Sequence, residues 1–276
     1  VKFHKIPNLD AYTLVFVNGF FSAEFSDTAE DKDGNFVVTN LNTAKKKFIK
    51  LVEPYLGFQT RAKDKFFVNL NSAFSQDGAF VYVKANQKLD KPVHIINLVD
   101  GDLVAAYPRN LIIADKLAEA QVVVSYETID TSSALSNVIN EVFVAESAHV
   151  QMDKIQNENG NTYHIGADYA VQQKDSTFTI NTIPANGKLI RNNLNILLDG
   201  TGCTANLNGA ICLNGDIHVD NQTYVDHAKP NCDSNELYKA VVNDQAASIF
   251  NGKIYVNKIA QQTNAFQSNA NILMSD

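Results

Sequence analysis

The chain has no tryptophan, two methionines, six prolines and only three cysteines in 276 residues, and several of these shortages exclude a class of protein. Cys203, Cys212 and Cys232 contain no C-x-x-C pair, so they can neither staple a small secreted fold nor complete a four-thiol zinc site. Sparse thiols of this kind point to a reducing, cytosolic compartment. Positive charge is also short: 23 Lys and Arg stand against 30 Asp and Glu, for a net charge of −7. A footprint that neutralises nucleic-acid phosphates or anionic lipid is therefore missing. The one basic run, Lys45-Lys46-Lys47, reads as the solvated face of a helix. No stretch approaches the roughly 20 apolar residues of a membrane-spanning helix. The chain opens on Val1 without a charged segment followed by an apolar one, and the expectation is a piece of a longer cytoplasmic protein.

Catalytic signatures are missing too. There is no G-x-x-x-x-G-K-[ST] loop to cradle phosphates, no G-x-S-x-G elbow and no H-E-x-x-H helix. Asp226, His227 and Ser234 have the residue types of a hydrolytic triad, but a triad is a spatial arrangement that closeness along the chain does not supply. His149 and His164 read as single histidines within separate strands. A non-enzyme is expected, with no cofactor required for folding.

What is present is a hydrophobic content of 45%, ample for a continuous core. Residues 1–78 read as an N-terminal α/β portion. Strands are expected over 12–21, around the turn signal Asn18-Gly19, and over 35–39. A helix is expected over 43–56, where Phe48, Val52 and Leu56 recur every four residues before Gly57 stops it. A second is expected over 64–74, capped by Asp64. From 79 to 276 the pattern changes to short segments rich in Val, Ile, Leu and Phe, with no helix of convincing length between them. Without crossover helices a doubly wound sheet is excluded, leaving a sandwich, a barrel or a β-helix. Asparagines at 192, 193, 206, 208, 214, 221, 269 and 271 tip the reading toward a parallel β-helix. They tolerate left-handed corners and can stack as ladders between coils.

The densest chemistry lies at 216–234, DIHVDNQTYVDHAKPNCDS. Period-two alternation places Asp216, His218 and Asp220 on one face of a strand, while Val225 and His227 share a face further on. Imidazole, thiolate and carboxylate suit iron or zinc, so His218, His227 and Cys232 are the candidate metal ligands. The plainer reading is two hydrogen-bonded histidines at coil corners and a small buried thiol.

Six segments carry a family resemblance in register: 66–83 (FFVNLNSAFSQDGAFVYV), 91–95 (KPVHI), 108–127 (PRNLIIADKLAEAQVVVSYE), 137–158, 188–209 (KLIRNNLNILLDGTGCTANLNG) and the run from 216 to the end. Together they resemble the SufB/SufD family of SUF-system iron-sulfur cluster assembly proteins, most closely its SufD branch. The resemblance implies an all-β-dominated fold, a right-handed parallel β-helix core (79–276) with a small N-terminal α/β portion. It also implies a scaffold subunit that pairs with a SufB-like subunit through the β-helix and works with a SufC-like ATPase. Iron or an iron-sulfur cluster would be a transient passenger of the assembled complex. SufD-like chains usually continue into a segment resembling DVKCSHGAT and then into C-terminal helices that recruit the ATPase. This sequence stops at Asp276, so neither function is carried over to residues here. Residues 264–274 are expected to form or adjoin a subunit contact, through which the chain could dimerise. The competing reading is a carbohydrate-active β-helix enzyme of the pectate-lyase kind, sharing architecture without role.

Overall fold

The computed structural model describes residues 4–58, 66–130, 133–159 and 161–275. The N-terminal elements are β1 (Tyr12–Val17), β2 (Phe20–Phe21), β3 (Ala29–Glu30), β4 (Phe36–Asn40), α1 (Leu41–Lys47), α2 (Ile49–Val52) and α3 (Phe66–Phe74). There follow β5 (Ala79–Val83), β6 (Val93–Val99), β7 (Val104–Ala106), β8 (Arg109–Ala114), β9 (Glu119–Thr128), β10 (Ala134–Val144), β11 (His149–Asn157) and β12 (Thr162–Gln172). The last strands are β13 (Thr177–Asn186), β14 (Leu189–Leu198), β15 (Thr204–Leu213), β16 (His218–His227), β17 (Asp233–Val242), β18 (Ala247–Val256) and β19 (Asn264–Leu273).

From β8 onward successive long strands alternate between two sheets, ordered β19-β17-β15-β13-β11-β9-β6-β1-β2 and β18-β16-β14-β12-β10-β8-β5-β4-β3. Each long strand pairs in parallel with the strand one coil away, as β14 does with β16 and β15 with β17. This is a parallel β-helix. The coil length shows in its side-chain pairs: Asn192 with Asn221, Asn206 with Asn235 and Asn214 with Asn243 are each 29 residues apart. Inward-facing residues fill the interior, and fully burying each Leu, Ile or Phe is worth roughly 1.5–3 kcal/mol. Leu194, Ile196 and Leu198 of β14 lie in it together, as expected.

The N-terminal elements extend both sheets. β1 lies parallel to β6, and β4 lies antiparallel to β5. The Asn18-Gly19 signal makes the β1–β2 hairpin turn, with φ 52° and 82°. The helix expected over 43–56 begins earlier, at Leu41, and breaks at Phe48, whose φ of −126° and ψ of 36° leave helical space. Its two short pieces pack Leu41, Ala44 and Val52 against Phe80 and Leu111, so tertiary packing sets the break. The second helix is described from Phe66; Asp64, the expected cap, lies outside the described residues.

The asparagines expected at corners are mostly within strands. Asn192, Asn193, Asn206, Asn208, Asn221, Asn269 and Asn271 all sit in β14, β15, β16 or β19, where several form the expected inter-coil ladders. Most left-handed corners form another column: Asn86, Leu117, Ser147, Asp175, Gly202, Asn231 and Gln262 all have positive φ. The N–H of Leu117 bonds the carbonyl of Glu146 in the next coil, that of Ser147 bonds Lys174, and that of Asp175 bonds Thr201. The coil geometry demands this conformation whatever the side chain, so residue type does not reveal it.

Candidate functional site

Two polar constellations lie inside the β-helix. The first runs along the inner face of β8, β10, β12, β14 and β16. Alternation in β11 turns Lys154 and Gln156 inward beside Val150 and Met152, and neighbouring strands supply their partners. Asn110 Nδ2 donates to Asn140 Oδ1 at 2.7 Å, and Asn140 Nδ2 donates to Asp168 Oδ1 at 2.6 Å. Lys154 Nζ donates to Asp168 Oδ2 at 2.5 Å and to Asn192 Oδ1 at 3.0 Å. Asn192 exchanges two 3.0 Å bonds with Gln156 and reaches Asn221 Oδ1 at 3.1 Å. Lys154 and Asp168 are almost wholly buried, so the desolvation each suffers is offset by the other and by the amides. Tyr126, pressed beside them, is pushed well above the usual phenol range by burial and then by the Asp168 charge. Nearby, Glu158 accepts from His164 Nδ1 at 2.8 Å and from Ser136 Oγ. Burial likewise raises Glu236, which accepts from Thr223 at 2.9 Å.

The second constellation sits at a coil corner. His227 Nε2 pairs with Ser234 Oγ at 2.9 Å, and its Nδ1 has no protein partner. Cys203 and Cys232 both donate to the carbonyl of Gly200 at 3.2 Å. Neither is in a disulfide, and both are fully buried. The structure thus brings His227 and Cys232 together and adds Cys203. It does not bring His218 to them. His218 starts β16 and His227 ends it, so at about 3.3 Å per residue some 30 Å of strand separates them. They also face opposite ways: Val219, Asn221, Thr223, Val225 and His227 point inward, His218 outward. Among the described residues no group of three or more His, Cys, Asp or Glu is placed to hold a metal ion. The triad types are likewise split, because Asp226 faces outward and accepts from Asn257 at 2.9 Å. His149 is exposed.

Sequence reasoning missed Cys203 as a partner, although it lies one coil before Cys232 and that interval was a readable signal. It also missed the Lys154 seam, whose alternation with Val150 and Met152 was there to be read.

Fold and interior together define a class, a two-sheet parallel β-helix with a continuous polar seam inside. Two family models match the chain: the SufBD protein N-terminal region over residues 3–95, and the SufBD core domain of SUF-system FeS cluster assembly over residues 94–276. The chain belongs to the SufBD family. It is 29% identical over 280 residues to an iron-sulfur cluster assembly SufBD family protein of Synechocystis, covering 98% of this chain and 61% of that protein. It is 27% identical over 272 residues to the iron-sulfur cluster assembly protein SufD of Escherichia coli, covering 96% of this chain and 61% of that protein. With SufD of Bacillus subtilis the identity is 25% over 260 residues, 92% of this chain and 59% of that protein. The chain therefore spans about three-fifths of the length of the curated relatives it matches.

Proposed function

We propose that this chain is the β-helix portion of a non-enzymatic, cytoplasmic scaffold subunit of the SUF iron-sulfur cluster assembly complex. It pairs with a SufB-like subunit through the β-helix and works with a SufC-like ATPase; iron and cluster are cargo. The observation that carries this reading is the pair of adjoining family matches, which cover residues 3–276 without a gap. The lack of a phosphate loop in the sequence fits a chain that leaves ATP hydrolysis to a partner. Among the described residues no helix is long and apolar enough to cross a membrane. β19 is exposed along its whole length, with Phe266, Ile272 and Leu273 open to solvent and β17 its one neighbour in the sheet order. In this reading the SufB-like partner docks along residues 264–274, and a second copy takes its place when that partner is absent.

The test is co-expression with a SufB-like and a SufC-like subunit, followed by size-exclusion chromatography with light scattering. Co-elution with the SufB-like subunit, lost on Phe266→Asp and Ile272→Asp, supports the reading. Elution alone beside a well-folded partner contradicts it. Release of unsaturated product from polygalacturonate with calcium would replace it with a polysaccharide lyase.

A further inference from the structure

The corner holding Cys203 and Cys232 is built from a column of small residues. Ala118, Ala148, Ser176, Cys203 and Cys232 each follow a left-handed corner residue, and each is fully buried. Consecutive members are neighbours on the coil ladder: Thr204 N–H bonds the carbonyl of Ser176, and Asp233 N–H bonds that of Cys203 at 2.9 Å. Thr204 pairs with Asp233, so the two cysteines stack on adjoining rungs. Rungs are about 4.8 Å apart, inside the roughly 4.4–6.8 Å between Cα atoms that a disulfide spans. Both thiols converge on one carbonyl, that of Gly200, at 3.2 Å. The imidazole of His227, its Nδ1 unpartnered and its Nε2 held by Ser234, lies beside Cys232. A column filled by alanine and serine in the earlier coils thus holds two thiols here, with an imidazole beside them.

We propose that Cys203 and Cys232 are a redox-active dithiol that closes into a disulfide across one coil rung by exchange with a low-molecular-weight disulfide. Cys232 attacks first. The neighbouring Cys203 and His227 hold Cys232 below the usual thiol range, while Cys232 and burial push Cys203 up. The Cys232 sulfur bonds one sulfur of the small disulfide and expels the other as a thiolate, which takes up the Cys232 proton by way of His227. Cys203 then attacks the Cys232 sulfur, its proton leaves to the second departing thiolate, and the inter-coil S–S bond forms. Two protein thiols are oxidised and one small disulfide is reduced to two thiols. The closed form ties two successive coils together at their corner.

The experiment uses the whole chain carrying Cys212→Ser, which removes the exposed cysteine. The protein is incubated with hydroxyethyl disulfide under native conditions and its intact mass is read without reductant. The expected product has lost two hydrogens and carries no adduct, and its thermal midpoint rises. Cys203→Ala should instead trap one adduct on Cys232, and Cys232→Ala should leave Cys203 unmodified. Both variants fold, because alanine fills the same place in two earlier coils. His227→Gln should slow closure several-fold without changing the product. Two adducts, or two thiols that stay reduced while Cys212 of the unsubstituted chain reacts fully, would overturn the proposal.

Discussion

β8 and β10 are buried on both faces, whereas β13, β14 and β15 are buried on alternate residues only. The difference lies outside the β-helix. α1 and α2 lay Leu41, Ala44 and Val52 over the outer face of the first coils, and α3 lays Val68 against Ile139, Ala167 and Tyr169. Arg109 fastens this cover, bonding Glu141 through Nε at 3.0 Å and Nη2 at 2.8 Å and Ser72 of α3 through Nη1 at 2.9 Å. Among the described residues the later coils have no such cover and turn Asn, Thr and Gln outward. The lesson is that one repeating backbone writes two different sequence patterns, continuous apolar runs where both faces are covered and strict alternation where one is.

The largest expected effect separates the two interiors. The Lys154–Asp168 pair lies among the earlier coils, whereas the later ones continue the seam with Asn192 and Asn221 among aliphatic residues. Lys154→Met leaves Asp168 buried without its counter-ion and should cost about 3–5 kcal/mol in urea unfolding. Lys154→Met with Asp168→Leu should recover most of that loss. If the double variant is no better than the single one, the amide ladder through Asn140 and Asn192 depends on the ions for its geometry.

In the later coils the corresponding test is a cavity. Leu207 is fully buried in β15, and Leu207→Ala should cost about 3 kcal/mol. A β-helix passes such a defect only to adjacent coils. Hydrogen exchange should therefore accelerate in β13, β15 and β17 while β6 and β8 stay protected. Uniform acceleration along the whole chain would erase the distinction between the regions.

The first coils also respond to acid. His94 in β6 pairs with Ser125 Oγ at 3.0 Å, and burial, with Lys5 adding to it, lowers its pKa to about 4. In the unfolded chain an imidazole protonates near 6.5. Between about 6.5 and 4 the unfolded state holds the extra proton, so stability falls as pH drops through that window and levels off below it. The full loss is on the order of 3 kcal/mol. His94→Gln should flatten this part of the stability profile; an unchanged profile would mean that another group carries the acid sensitivity.

These contrasts also explain how far the sequence could be read. The alternation of LIRNNLNILL and TANLNGAICL marks one-face strands, and the Asn ladders at coil spacing follow from it. The two-face runs AFVYV and RNLIIA show strands but not what covers them, because a cover is a long-range fact. The break at Phe48 was hidden for the same reason. Within 216–234, alternation already set His218 and His227 on opposite faces. Cys203 joins Cys232 through the same 29-residue interval as the asparagine pairs, a signal that becomes readable once the coil length is taken from them.

The smallest expected effect tests the feature that the two regions share, the left-handed corner column. Leu117 occupies it with φ 60° and its side chain half exposed, while Asn86 occupies it one coil earlier with φ 62°. A left-handed backbone costs an ordinary side chain roughly 1–2 kcal/mol, and asparagine less, because its short amide bonds locally. Leu117 N–H already bonds Glu146 across the corner, so the coil holds the conformation against that cost. Leu117→Asn should therefore stabilise the protein by about 0.5–1 kcal/mol, raising the urea midpoint at an unchanged slope. Asn86→Leu should lower it by a similar amount. Were Leu117→Asn destabilising instead, the half-exposed leucine would be packing against the neighbouring corner by more than the strain it causes, and the column would be held by side-chain contact as well as by the backbone ladder.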